Sequence, residues 1–278
     1  MKAIPTLTLT LLAAVAAVAQ QPAPAAGEPK VELKADATDE PKVKLDGPEK
    51  KDLGDAPAPA AEATPKLPGV DNLTEEQSKM LIQGMGEVSN YLRGVRWQEA
   101  LEKLTDLEEK CGENHYIANL RGAVYTRMRD FTKARVQFVK AVELTKGLDA
   151  EGFHPKFNLA ELDFVTRNWD AARTAFQGLL KDPGKPGAGS DTLINFKIFI
   201  CDLQQKKEAD ADVILSTLDQ YDAESPAYYY AHAAKLFIQD KKDEANEWLE
   251  SAKRIYPKEV NEVYNDSLVE MGWLETLQ

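Results

Sequence analysis

The chain is poor in the residue types that carry chemistry. Only two cysteines, Cys111 and Cys201, occur in 278 residues. Two cysteines do not make a disulfide framework, and both read as thiols packed in or near a core. There are three histidines, His115, His154 and His232. None lies at a metal-ligand spacing from a cysteine or another histidine, so no metal site is expected. No glycine-rich phosphate loop, G-x-S-x-G elbow or H-E-x-x-H helix is present. The nearest approach is Gly184-Lys185-Pro186-Gly187. There a proline stands where a phosphate loop needs Ser or Thr, so the stretch reads as a turn. Asp163 and Asp202 interrupt apolar stretches, and a buried carboxylate needs a partner. A small register shift that points them to solvent or to a helix-end partner is the simpler expectation. No catalytic residue and no cofactor is therefore expected, and the chain does not read as an enzyme. Cations are also short: 34 Lys and Arg stand against 46 Asp and Glu, a net charge of −12. That balance argues against nucleic acid or an anionic membrane as the main partner.

One apolar run is present, at the start. Met1–Ala19 (MKAIPTLTLTLLAAVAAVA) has one lysine, then uncharged apolar residues, then Ala17-Val18-Ala19. This is the layout of a secretory signal peptide over residues 1–19. The run is too short and too rich in small residues for a permanent span. The chain is thus expected to be exported, to a periplasmic or secreted location, with no membrane insertion after cleavage. Residues 20–70 are dominated by Pro, Ala, Lys, Glu and Asp, with no aromatic residue. Such a segment cannot bury enough apolar surface to offset its ordering entropy, so it reads as a disordered tether. Residues 71–278 remain for the folded region.

Within that region a pattern recurs. Gly122-Ala-Val-Tyr125 is followed by Ala134, Phe138 and Ala141. Small residues let two helices approach, and an aromatic one turn along fills the gap beside them. Ala134 has equivalents at Ala100, Ala172, Ala211 and Ala245. Four residues after each stands Leu104, Phe138, Phe176, Leu215 or Leu249. Seven residues after stands Leu107, Ala141, Leu179, Leu218 or Ala252. An aromatic opens the second helix at Trp97, Phe131 and Trp169, and a proline closes the last unit at Pro257. This pattern resembles the tetratricopeptide repeat, a helix hairpin of about 34 residues. The resemblance implies an all-α fold: a right-handed α-solenoid of about five hairpins with a C-terminal capping helix. The helices are expected from Thr74 onward, with Thr74 and Gln77 forming a capping box. Thr145–His154 and Lys181–Ser190 read as loop-like insertions between units. After Pro257, an apolar stripe through Val260, Val263, Tyr264, Leu268, Met271 and Leu274 predicts the cap.

The resemblance also implies a concave face lined by the first helix of each hairpin. Its candidate binding residues are Met85, Tyr116, Asn119, Arg127, Phe157, Phe164, Phe196, Tyr230 and Phe237. The face is too apolar to resemble the Lys/Asn/Arg clamp by which family members hold a terminal carboxylate. A large apolar patch on a soluble protein needs cover. A partner helix or peptide, a second copy of the chain, or the chain's own C-terminal helix would each supply it. The expected function is a non-enzymatic scaffold or adaptor for another protein. The alternative is a self-associating structural envelope protein, a homodimer included, whose groove is filled by its own C-terminal helix.

Overall fold

The structure is a computed structural model that describes residues 67, 69–221 and 225–275. Among these the chain is all-helical, with no strand. The expected leader and nearly all of the expected tether lie outside the described residues. The tether ends earlier than the sequence suggests: Leu67 and Val70 are 4% and 5% exposed and belong to the core. Two apolar side chains were enough to dock this stretch beside Leu148 and His115, which lie against Gly69.

Eleven α-helices follow in chain order. α1 (Glu75–Arg93) pairs with α2 (Trp97–Cys111), and α3 (His115–Arg127) with α4 (Phe131–Leu144). α5 (Asp149–Val165) pairs with α6 (Trp169–Leu179), and α7 (Ala188–Gln204) with α8 (Glu208–Leu218). α9 (Ala227–Ile238) pairs with α10 (Lys242–Ile255), and α11 (Lys258–Glu270) follows. Each helix packs on the next, and α1 touches α3, α3 touches α5 and α7 touches α9. The odd-numbered helices therefore form one layer and their even-numbered partners another.

The alanine column explains the pairing. Ala100, Ala134, Ala172, Ala211 and Ala245 are all at most 1% exposed. The large residue one turn on is buried in every unit, from Leu104 to Leu249. In the second pair, a Cβ placed on Gly122 would lie 2.6 Å from the ring of Phe138. Glycine is required there because the aromatic occupies the space of any side chain.

The connections within pairs repeat as closely as the helices do. Val95, Arg129, Arg167, Lys206 and Asp240 all have φ between 57° and 63°. They stand at the steps of the alanine column, five residues before each alanine. The next residue donates its N–H to the carbonyl five residues back, from Arg96 to Tyr91 through Lys241 to Leu236. One left-handed residue thus reverses the chain in all five pairs. No glycine occupies the position, so each turn holds a side chain in a costly region of backbone space. Val95 is the worst placed, being β-branched and 56% exposed. Val95→Gly is expected to raise stability by about 1 kcal/mol, a rise in melting temperature of about 2–4 °C. Val136→Gly, on the exposed face of α4, is expected to lower it. Thermal unfolding of both variants reads the difference.

The helix starts follow local chemistry. Gln77 N–H donates to Thr74 Oγ1 at 3.2 Å, and Thr74 N–H to Gln77 Oε1 at 3.0 Å, completing the capping box. Asn114 Oδ1 caps α3 by accepting from Ile117 N–H at 3.1 Å. Two expectations are corrected. Thr145–His154 and Lys181–Ser190 are not simply loops, because α5 begins at Asp149 and α7 at Ala188. α5 carries Asp149 and Glu151 in its first turn, where the helix dipole favours acids, and it continues through Pro155. The two insertions also brace each other. A Cβ on Gly184 would sit 1.7 Å from the Asp149 carbonyl oxygen, so only glycine lets this turn meet the start of α5. Lys156 Nζ then reaches Asp182 Oδ2 at 2.8 Å.

Asp163 and Asp202 are the second correction. Both lie in the last turn of their helix, yet neither is turned to solvent: each has a partner. Asp163 Oδ1 pairs with Arg135 Nη2 at 2.5 Å, and Asp202 Oδ1 with Arg173 Nε at 2.6 Å. Each arginine follows the alanine of the preceding pair (Ala134, Ala172), so each bridge ties one pair to the next.

Candidate protein-binding face

The odd-numbered helices carry all nine candidate residues, and most of them are less open than the sequence suggests. Phe164 and Phe196 are fully buried, and Tyr230 is 1% exposed. Met85, Asn119, Phe157 and Phe237 are 5–7% exposed. Tyr116 and Arg127 are half-buried. The expected open apolar groove is thus corrected to a largely covered face. The reason is geometric: α3, α5, α7 and α9 each touch their own partner, the preceding even helix and at least one other odd helix. α3 buries nine of its thirteen residues, whereas α4 buries three of fourteen. A residue counted as facing outward on α3 or α5 meets a neighbour instead.

Polar links join successive odd helices across this face. Asn158 Nδ2 donates to Asn119 Oδ1 at 2.8 Å, tying α5 to α3. Lys197 Nζ donates to Glu161 Oε2 at 2.8 Å, tying α7 to α5, with both side chains at most 4% exposed. The Lys197 ammonium also lies 4.6 Å from the centroid of the Phe164 ring. Ser225 Oγ donates to Thr192 Oγ1 at 3.1 Å, just before α9 and on α7.

The rest of the cover comes from α11. Tyr264 Oη stands 3.1 Å from Ser225 Oγ and 3.3 Å from Thr192 Oγ1, closing a ring of three hydroxyls. Its ring packs against Phe196 and Tyr230, with centroids 5.3 and 5.6 Å away. Trp273, just past the helix, stacks on Phe237 at 6.0 Å. At the far end Glu270 accepts from Arg129 Nη1 through both carboxylate oxygens, at 2.9 and 3.2 Å. Arg127 faces the same carboxylate and that of Asp266. α11 therefore spans from the last pair back to the second. It packs on Phe196 and Tyr230, its acids act on Arg127, and Trp273 just beyond it covers Phe237, so four of the nine candidates meet this segment.

Burial sets the electrostatics. It pulls the Arg127 guanidinium down to about 10, while Asp266 and Glu270 work against the fall. It pushes the Tyr264 and Tyr230 phenols up from their ordinary values. At the opposite end, burial raises Tyr116 to about 12 and lowers His154, with Glu151 beside both. Cys201 is raised to about 12 by burial; it and Cys111 are free and buried, as read from the sequence. Such thiols are poor nucleophiles.

Among the described residues, no group of three His, Cys, Asp or Glu could hold a metal. No described helix is long and apolar enough to cross a membrane. The face holds α11 between an aromatic and hydroxyl cup at one end and two arginines at the other. The sequence reading missed Arg129, Asp266, Glu270 and the Lys197–Glu161 pair. A usable signal existed for the last. Lys197 is a lone cation within Ile194–Cys201 (INFKIFIC), and Glu161 a lone acid within FNLAEL, so each needed a partner of the other kind. No protein-family model matches the chain, and no curated protein or solved structure matches it.

Proposed function

We propose that the protein is an exported helical-repeat adaptor of tetratricopeptide type, whose odd-helix face binds a helix of another protein. The five alanine-column pairs would form a right-handed α-solenoid with α11 as its terminal cap. The face would be its concave side, and residues 1–70 would supply a secretory leader and a tether into a periplasmic or extracellular space. The reading of repeat type rests on the shared columns and on five hairpins that turn through the same left-handed residue. The reading of function rests on one observation: this face already accepts an amphipathic helix, α11, through apolar and polar contacts together. Grooves that hold helices are a recurrent mode of peptide recognition. The second reading, self-association in the envelope with the groove filled from within, is favoured by the same seated helix.

A photo-reactive phenylalanine analogue at Tyr116, the half-buried rim of the face, tests the proposal. The control is the same group at Val213, which is 67% exposed on the even-numbered helix α8. In native envelope fractions, the Tyr116 probe is expected to attach to a different polypeptide and the Val213 probe is not. Cross-links only to a second copy, with a mass that grows with concentration, would favour self-association instead.

A further inference from the structure

We propose that the seat of α11 is an exchangeable site, which takes an acidic amphipathic helix from a partner protein when α11 swings out. The proposal rests on the adaptor reading above and names the chemistry of its partner. The partner helix carries an aromatic residue where α11 has Tyr264, with acids two and six residues further on, where α11 has Asp266 and Glu270.

Three features carry it. First, α11 is a poor permanent plug. Asn261, Asp266 and Ser267 are buried in its contact at 8% exposure or less. Ser267 Oγ has no hydrogen-bond partner, and Asn261, whose Nδ2 donates to the carbonyls of Ala252, Tyr256 and Pro257 at the joint, leaves its Oδ1 unmet. A partly satisfied buried polar network holds two surfaces more weakly than an apolar one would. Second, the helix is attached by a short joint. α10 ends at Ile255, and only Tyr256 and Pro257, both extended, precede α11. Rotation at two residues moves the helix as a rigid unit without disturbing the five pairs. Third, the seat specifies its replacement. Arg127 is half-buried, with the charges of Asp266 and Glu270 acting on it, and Arg129 stands two residues on and pairs with Glu270. With α11 gone, the two guanidiniums face the opening without those acids. A helix with carboxylates at the same spacing restores the charge balance, and a basic or neutral helix does not. The hydroxyls of Thr192 and Ser225 likewise select a phenol over a plain alkyl group.

The test uses the full chain and a fluorescein-labelled synthetic peptide of residues 256–274 as the stand-in for the partner. Because α11 occupies the seat, apparent affinity scales with the fraction of chains in which it is out. Glu270→Lys loosens the resident helix. Its chain is expected to bind the peptide about tenfold more tightly than wild type, by fluorescence anisotropy. A peptide of the same composition in scrambled order is expected not to bind. Arg129→Glu, placed at the half-exposed rim so that the fold survives, is expected to abolish binding. Hydrogen exchange is expected to show α11 opening faster than α3, as a unit of its own.

Equal slow exchange in α11 and α3, together with no peptide binding to the Glu270→Lys chain, overturns the proposal. So does a Glu270→Lys chain that binds the peptide no better than wild type. A wild-type mass that doubles with concentration and reverts on adding peptide would make the occupant a second copy, which overturns the partner assignment. If the exchange fails while the Tyr116 probe still captures another protein, the adaptor reading stands and α11 is a fixed cap.

Discussion

Lys197→Met is expected to lower stability by about 3–5 kcal/mol, and adding Glu161→Met is expected to restore most of it. Both side chains are at most 4% exposed, and their charged atoms are 2.8 Å apart. Removing the ammonium leaves the Glu161 carboxylate between α5 and α7 with no opposite charge. Glu161 Oε1 already lacks a hydrogen-bond partner. The wild-type pair therefore recovers only part of what its burial costs. Two methionines of similar length would fill the same space beside Phe164 with no charge to solvate. Total stabilities of about 5–15 kcal/mol make the single variant easy to resolve by urea unfolding. A single variant that loses under 1 kcal/mol, with no recovery in the double, would mean that water reaches the pair.

The parts of the fold legible in the sequence were those decided by short contacts. An alanine between two helices cannot be exchanged for a larger residue, so Ala100 through Ala245 recur at fixed offsets and are all buried. The same holds for the capping box at Thr74, where two side-chain bonds span three residues. The even helices were legible too, since α4 meets its neighbours along a narrow stripe. The start of α5 was not, because glycine, proline and acids near Asp149 read locally as a loop. A bracing contact with Gly184, far along the chain, is part of what surrounds it.

The candidate face was half legible. The apolar residues of α3, α5, α7 and α9 were found, but not what each one meets. An odd helix has neighbours around most of its circumference, so its sequence has no clear polar side to mark the opening. The partner of Asp202 was illegible for a related reason. It is Arg173 of the preceding pair, and no local spacing connects them. Within this one chain the contact position is filled by different chemistry in different units. Leu101 and Tyr125 stand at the corresponding sequence positions in the first two pairs as part-buried apolar groups, where Arg135 and Asp163, or Arg173 and Asp202, pair as ions further on.

Changing Phe157 and Tyr230 together to alanine is expected to unfold the protein rather than clear a binding groove. Tyr230 is 1% exposed and packs edge-on to Phe196, 6.3 Å away, beneath Tyr264. Phe157 is 7% exposed and lies between Phe153 at 6.1 Å and Phe176 at 5.7 Å. Deleting a buried ring of this size costs about 3–5 kcal/mol through lost transfer energy and the cavity left behind. The two rings contact different residues, so their costs should add. The total of about 6–10 kcal/mol is comparable to the whole stability of a typical domain. Helicity measured by circular dichroism should fall without denaturant, and any binding would be lost for that reason alone. Tyr230→Phe keeps the ring and should change little. A double-alanine chain that keeps its helicity and melts within a few degrees of wild type would place both rings in an open groove. In that case α11 would not be the cover of Tyr230, and the exchange proposed for its seat would lose its basis.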